Sequence, residues 1–441
     1  MKTPRRNFIK QITLTGAGFL ISKVVYGNQN HESIIENSDF IRVEPLSQAE
    51  REKNDRLKSL YDEHRWFQLR DEIAKTNAPI FYKAAIEAAF NQCFKAEKDL
   101  LVIIDTEKNV QINYQSRELL IGLYFRQGRY NEAFNQAQNM IAQHPNAADI
   151  KNILPTLQVL SKFKNQSIVW EKITQLNIDI EDGNLILPVT INGIKGNYIF
   201  DNGFSMSGMS ESEAARLKLT VHDAKMNIDT MNGQEVGVRI AVVNDLQLGE
   251  TQLKNVAFYV VPDSQPPFNE LRDGHKGILG LPVALALKRF NWKPRDLIFS
   301  ILPASTTVLP SQEANLAIDG TSILNSVKFE GKSIDFSLDM GAQKTELYPS
   351  FAKKFPQVTA NGVPEVHKIT GVGGSAEIAS IVLPALTFKV GGQDLALKPA
   401  HILLKENNST SGRFVGNLGM DILNQSKTAE VDFSAMTLVV D

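Results

Sequence analysis

The chain has 441 residues, a formal net charge of −2, 43% hydrophobic and 22% charged residues, and a single cysteine. This balance carries no electrostatic footprint for nucleic acid or an anionic membrane, and the lone Cys93 excludes an intramolecular disulfide. Stability therefore rests on burial, and a chain this long supplies about three domains' worth of core.

Residues 1–27 carry Lys2, Arg5, Arg6, Lys10 and Lys23, an apolar run over 12–25 and a small-residue exit at Val25-Tyr26-Gly27. The run is too short to span a membrane and reads as a cleaved export signal. Thr3-Pro4-Arg5-Arg6-Asn7-Phe8-Ile9-Lys10 resembles the twin-arginine signal, whose route exports folded proteins; an ordinary secretory signal with two adjacent arginines is the alternative. No Cys comes after the apolar run, which speaks against a lipid anchor there. Removing the segment takes away five positive charges and no acids, so the net charge becomes −2 − 5 = −7. The expectation is a periplasmic or secreted bacterial protein with no membrane span after signal removal and a linker over 28–45.

From 46 to 173 the apolar residues recur with helical period: Leu57-Leu60-Tyr61, Trp66-Leu69-Ile73, Phe81-Ala84-Ala88, then Leu100 to Ile104. Leu120 to Ala133, with Gly128 at its centre and Pro145 closing it, resembles one tetratricopeptide repeat: a helix, a glycine turn, and a second helix whose small Ala133 permits close packing. The expectation is a helical-repeat domain of about three hairpins. It either offers a groove to a peptide or protein partner or packs on the C-terminal lobes and shields them.

Near Asn177 the period changes from 3.6 to 2. A first lobe is expected over 177–302, a connector over 303–320 and a second lobe over 321–441. The two lobes share one pattern. Ile199-Phe200-Asp201-Asn202-Gly203-Phe204-Ser205 is echoed by Ser337-Leu338-Asp339-Met340-Gly341-Ala342-Gln343, and the two aspartates lie 339 − 201 = 138 positions apart. The same offset aligns the turn signal Asn192-Gly193 with Glu330-Gly331, each between alternating apolar runs. Gly280, closing Ile278-Leu279-Gly280, comes 79 residues after its aspartate, and Gly419, closing Asn417-Leu418-Gly419, comes 80 after its own. A repeat this long means two copies of one small β-lobe. After each aspartate a short helix is expected, with Ser210 and Glu213 forming a capping box in the first lobe and 350–355 in the second. Then comes a hairpin with a polar tip: Met231-Asn232-Gly233-Gln234, and Gly371-Val372-Gly373-Gly374.

These residues resemble the retropepsin and pepsin aspartic proteases, over somewhat more than half of the chain. The resemblance implies a multidomain protein in which an all-α helical repeat precedes an all-β bilobal acid-protease-like fold. It implies an aspartic-type endopeptidase with Asp201 and Asp339 as a catalytic dyad sharing one proton. Gly203 and Gly341 bring backbone N–H groups beside the carboxylates, and Ser205 bonds the outer oxygen of Asp201. Met231, Asn232, Gly233 and Gly371 to Gly374 form flaps over an extended polypeptide, and Ile278, Leu279, Gly280, Leu418 and Gly419 support the dyad. No metal or organic cofactor is implied. The chain departs from the family where Thr or Ser usually comes after the aspartate, since Asn202 and Met340 stand there. Asn retains a donor, whereas Met leaves the second half of the interlobe lock absent or replaced. Gln343 is bulkier than Ser205, and Asn417 replaces an apolar residue. A double lobe that binds peptides without cutting them is the alternative function.

Other signals fail on context. Gly371-Val372-Gly373-Gly374-Ser375-Ala376 fits a dinucleotide fingerprint, but a strand pattern comes after it where a helix is required. Gly203-Phe204-Ser205-Met206-Ser207 lacks the last glycine of a nucleophile elbow. The seven histidines lack metal-ligand spacing, and no Walker A loop occurs.

Overall fold

The computed structural model describes residues 48–169, 173–229, 235–269, 271, 275–304, 314–371, 374–405 and 413–441. The export-signal segment 1–27, the linker 28–45 and the hairpin-tip residues Met231, Asn232, Gly233, Val372 and Gly373 lie outside the described residues.

Seven helices come first: α1 (Gln48–Asp62), α2 (Trp66–Ile73), α3 (Ile80–Ala89), α4 (Cys93–Thr106), α5 (Val110–Arg126), α6 (Tyr130–Gln143) and α7 (Ala148–Leu160). Each buries the stripe its periodicity marks, such as Phe81, Ala84 and Ala88 in α3 or Leu100 and Ile103 in α4. Helices adjacent in sequence pack on one another. The turn between α5 and α6 puts Gly128 at φ +68°, a backbone state that favours glycine, and the fully buried Ala133 lets α6 approach closely. Arg129 at the start of α6 pairs with Glu97 of α4 at 2.6 Å and stacks over the Tyr124 ring. No helix among the described residues is long and apolar enough to cross a membrane.

The β region forms three sheets of eleven, five and ten strands. The eleven-stranded sheet is lobe one and the ten-stranded sheet lobe two. Each curls around a hairpin whose return strand, Ile194–Phe200 or Lys332–Leu338, ends at an aspartate. The five-stranded sheet joins the lobes, because Arg289–Lys293 of the first pairs antiparallel with Ala429–Asp432 of the second. Phe200, Phe290 and Phe299 pack ring against ring between this sheet and the first aspartate turn. Both short helices appear, Glu211–Arg216 and Pro349–Lys354. Only half of the expected capping box forms: Ser210 accepts from the Glu213 N–H, while the Glu213 carboxylate turns to the Tyr198 hydroxyl and Arg216. Gly374–Leu383 is a strand, so the dinucleotide fingerprint sits in a hairpin.

Helices and lobes share a core. On α7, Ile150, Leu157 and Leu160 bury with Ala224, Val238 and Ile240 at the base of lobe one's hairpin of Val221–Asp229 and Glu235–Val243. Two short strands after the helices, Ser167–Val169 and Thr174–Asn177, join the eleven-stranded and the five-stranded sheet. Leu316–Asp319, within the segment read as a connector, pairs with Ser322–Phe329 of lobe two. There Asp319 is buried between His64 of the helical region, at 2.6 Å, and Arg413 of lobe two, at 3.2 Å.

Candidate functional site

The same device presents each aspartate. Ile278 and Leu279 pair parallel with Ile199 and Phe200, and the Leu279 carbonyl accepts from the Asp201 N–H at 2.9 Å. In lobe two, Asn417 and Leu418 pair with Ser337 and Leu338, and the Leu418 carbonyl accepts from the Asp339 N–H at 3.0 Å. Gly280 and Gly419 close these segments by donating their N–H groups to Ser207 Oγ and Thr345 Oγ1. Buried Ile278, Leu279 and Leu418 keep water from the backbone beneath the pair.

The two turns face each other. A Cβ on Gly341 would overlap the Asp201 carboxyl, and one on Gly203 would lie 2.6 Å from Asp339 Oδ1. Any side chain at either position would therefore push the carboxyls apart. Gly203 donates its N–H to Asp201 Oδ1 at 2.8 Å, and Gly341 and Ala342 donate to Asp339 Oδ1 at 2.9 and 3.1 Å. Both carboxyls are buried and close enough to interact electrostatically. Burial, then the neighbouring Asp339, pushes Asp201 well above the usual carboxylate range. Burial raises Asp339 too, against the opposing donors Gly341, Asn417 and Ala342. Two acids held like this titrate as a pair, one proton between them.

The interlobe lock is one-sided. Asn202 Nδ2 donates across to the Leu338 carbonyl at 2.8 Å, and its Oδ1 accepts from the Met340 N–H at 2.7 Å. One amide thus both donates and accepts, and the buried Met340 side chain contributes only packing. The expectation for Ser205 is corrected: its buried Oγ makes no hydrogen bond to Asp201 or to any other described protein group. The Gly203 N–H, held beside the carboxyl by the tight turn, bonds Asp201 instead. Gln343, the counterpart of Ser205, is buried beside Gly183 and is not among the donors to Asp339. Residues Gly371 and Gly374 pair at the end of the antiparallel strands Val363–Gly371 and Gly374–Leu383 of lobe two.

Sequence reasoning undervalued Asn417. Its Nδ2 donates to Asp339 Oδ2 at 3.3 Å, and its Oδ1 accepts from Ser337 Oγ at 2.6 Å. The signal was present: Ser337 and Asn417 stand where lobe one has Ile199 and Ile278. Among the described residues no group of three or more His, Cys, Asp or Glu is placed to hold a metal ion. A cavity of about 770 Å³ on lobe one, lined by Lys195, Ser212, Glu213, Arg216 and Lys276, shares no residue with the pair.

Fold and geometry define the class: a helical region followed by an aspartic-protease-like bilobal β fold. Comparison with known proteins agrees over part of the first lobe. Residues 187–283, which contain the Asp201 turn and the Ile278-Leu279-Gly280 segment, match a family model described as Aspartyl protease. A retropepsin-like aspartic protease from Rickettsia conorii is similar over 32% of this chain and 95% of its own, at 18% identity and a TM-score of 0.21, too loose a superposition to carry geometry across. No curated protein matches the chain.

Proposed function

We propose that the protein is an aspartic-type endopeptidase that hydrolyses peptide bonds with Asp201, Asp339 and a water bound between them. The observation that carries this reading is the meeting of two buried carboxyls, each with the glycine of the opposite turn laid against it. Such a pair holds one proton, so one member acts as base while the other acts as acid. The ionised carboxylate takes a proton from water as its oxygen attacks the carbonyl carbon, and the protonated carboxyl gives its proton to the carbonyl oxygen. On collapse the C–N bond breaks, the amine leaves with the proton taken from water, and the hydroxyl proton returns to the acid. Atoms and charge balance with no further cofactor.

The substrate of this reading is an extended polypeptide gripped by strand pairing beneath the two flap hairpins. We further propose export through the twin-arginine-like segment 1–27, and a peptide or protein partner for the tetratricopeptide-like helices. The test is cleavage of an unfolded, quenched-fluorophore polypeptide from pH 3 to 8, beside Asp201→Asn and Asp339→Asn. A bell-shaped profile lost in each variant is the expected result. Binding of the polypeptide without cleavage at any pH would overturn it in favour of a recognition module.

A further inference from the structure

We infer that Asn417 is a positioning residue that gives the two aspartates fixed and unequal roles, Asp339 carrying the charge and Asp201 the proton. The inference rests on the endopeptidase reading for its catalytic meaning, but its geometry stands alone. In lobe two, Ser337 and Asn417 are register partners on adjacent parallel strands. Their counterparts in lobe one, Ile199 and Ile278, are register partners in the same way. A matched apolar pair on one side thus faces a matched polar pair on the other.

The polar pair forms a directed chain. An ionised carboxylate only accepts, so the Asn417 amide must turn its NH₂ toward Asp339, which leaves Oδ1 to accept from Ser337 Oγ. Ser337 Oγ lies 3.4 Å from the Gly416 carbonyl as well, a longer contact than the one to Asn417 that leaves its proton chiefly on the amide oxygen. Asp339 consequently receives donors on both oxygens, Gly341 and Ala342 on Oδ1 and Asn417 on Oδ2. Asp201 has its backbone donors but no side-chain amide, because Ile278 has none to offer. Donors to the charged form favour that form, so the shared proton lodges on Asp201. The titratable groups that face Asp339 are Asp201 from lobe one and Tyr348 from its own lobe, with Glu346 beyond Tyr348. With the proton on Asp201, that carboxyl favours the charge on Asp339 alongside Asn417, while burial holds the Tyr348 hydroxyl neutral. In the reaction Asp339 then takes the proton from water, and Asp201 donates to the substrate carbonyl.

The test compares wild type with Asn417→Ile, which copies Ile278, and with Ser337→Ala, which removes only the anchor of the amide. The side-chain carboxyl carbons of labelled aspartates are titrated by NMR without substrate, and the pH profile of cleavage is recorded in parallel. In Asn417→Ile the lower apparent pKa of the pair, and the acid limb of the profile with it, should rise by roughly one unit, the scale of one lost donor to a charged group. Ser337→Ala should move the same limb in the same direction by less, and it carries the test should Asn417→Ile fail to fold. Loss of rate at every pH with the acid limb unmoved would assign Asn417 a merely structural role and overturn the inference. If wild type cuts nothing, the endopeptidase reading falls, while the NMR titration still decides whether Asn417 biases the pair.

Discussion

Replacing Asn202 by alanine tests how the lobes are held in register. The amide makes the two interlobe bonds found at the turns, to the Leu338 carbonyl at 2.8 Å and from the Met340 N–H at 2.7 Å. Alanine leaves both backbone groups buried and without those partners. Each orphaned group costs about 1–3 kcal/mol, so the pair destabilises the junction by roughly 2–6 kcal/mol. At about 2–4 °C per kcal/mol for a β region of this size, the melting temperature should fall by roughly 4–24 °C. The rate should fall further than the stability alone implies, on the order of a hundredfold at a temperature where the variant is folded, because a carboxyl displaced by about 1 Å misses the attacking water. The assay is calorimetry beside cleavage of the fluorogenic polypeptide, with Asn202→Thr as a partial rescue that keeps one donor and one acceptor. An Asn202→Ala protein that melts with wild type and cuts at its rate would refute the idea that this amide locks the lobes.

Gly341→Ala should abolish cleavage, by a hundredfold or more on the same displacement argument, since its methyl overlaps the Asp201 carboxyl; a variant cutting at the wild-type rate would show that the carboxyls do not need this contact. Burial, with Asp149 nearby, raises Glu118 in α5 from 4.5 to about 8. The folded chain therefore binds this proton more tightly than the unfolded chain, and the residue destabilises progressively as pH climbs from 4.5 to about 8. Glu118→Gln should accordingly melt higher than wild type at pH 8.5, by up to about 5 kcal/mol of stability for a rise of this size, and level with it at pH 4; an equal difference at both would count against the assignment. Burial works to raise Asp319, but His64 and Arg413 hold it below its ordinary 3.8, so its contribution is present above that pH and drains away as pH falls through the folded value. Asp319→Asn should cost about 3 kcal/mol at pH 7 and speed hydrogen exchange in α1 and α2, with the two proteins converging in acid; unchanged exchange would mean that this ion pair does not tie the helices to lobe two.

Much of this arrangement was legible from short-range pattern. The helical stripes, the hairpins ending in Asp201 and Asp339, and the apolar-Gly segments behind them each depend on neighbours within a few residues, so period and spacing report them. What escaped depends on long-range pairing or on side-chain direction. Ser167–Val169 and Thr174–Asn177 are strands only because Thr251–Lys254 and Ile298–Leu302 offer them edges far along the chain. Counting one hydroxyl per lobe overlooked that a single amide has two ends, which is how Asn202 serves both halves of the lock. Ser205 was assigned to Asp201 by analogy of position, but its buried hydroxyl finds no hydrogen-bond partner there. Asn417 looked like a flaw in an apolar motif until Ser337, its partner in the parallel pair, was seen to carry the matching change.

The joining of both lobes in one chain through the five-stranded sheet has a consequence beyond stability. Two identical copies meeting across an axis must carry the same residue at every equivalent position, so a donor placed beside one acid appears beside the other as well. Covalent duplication lifts that constraint, and here Ile278 and Asn417 have diverged across the pseudo-axis. The pair also forms at any dilution, because neither half has to find a partner. Different surroundings for two chemically equal acids are thereby written into the gene once and inherited by every molecule.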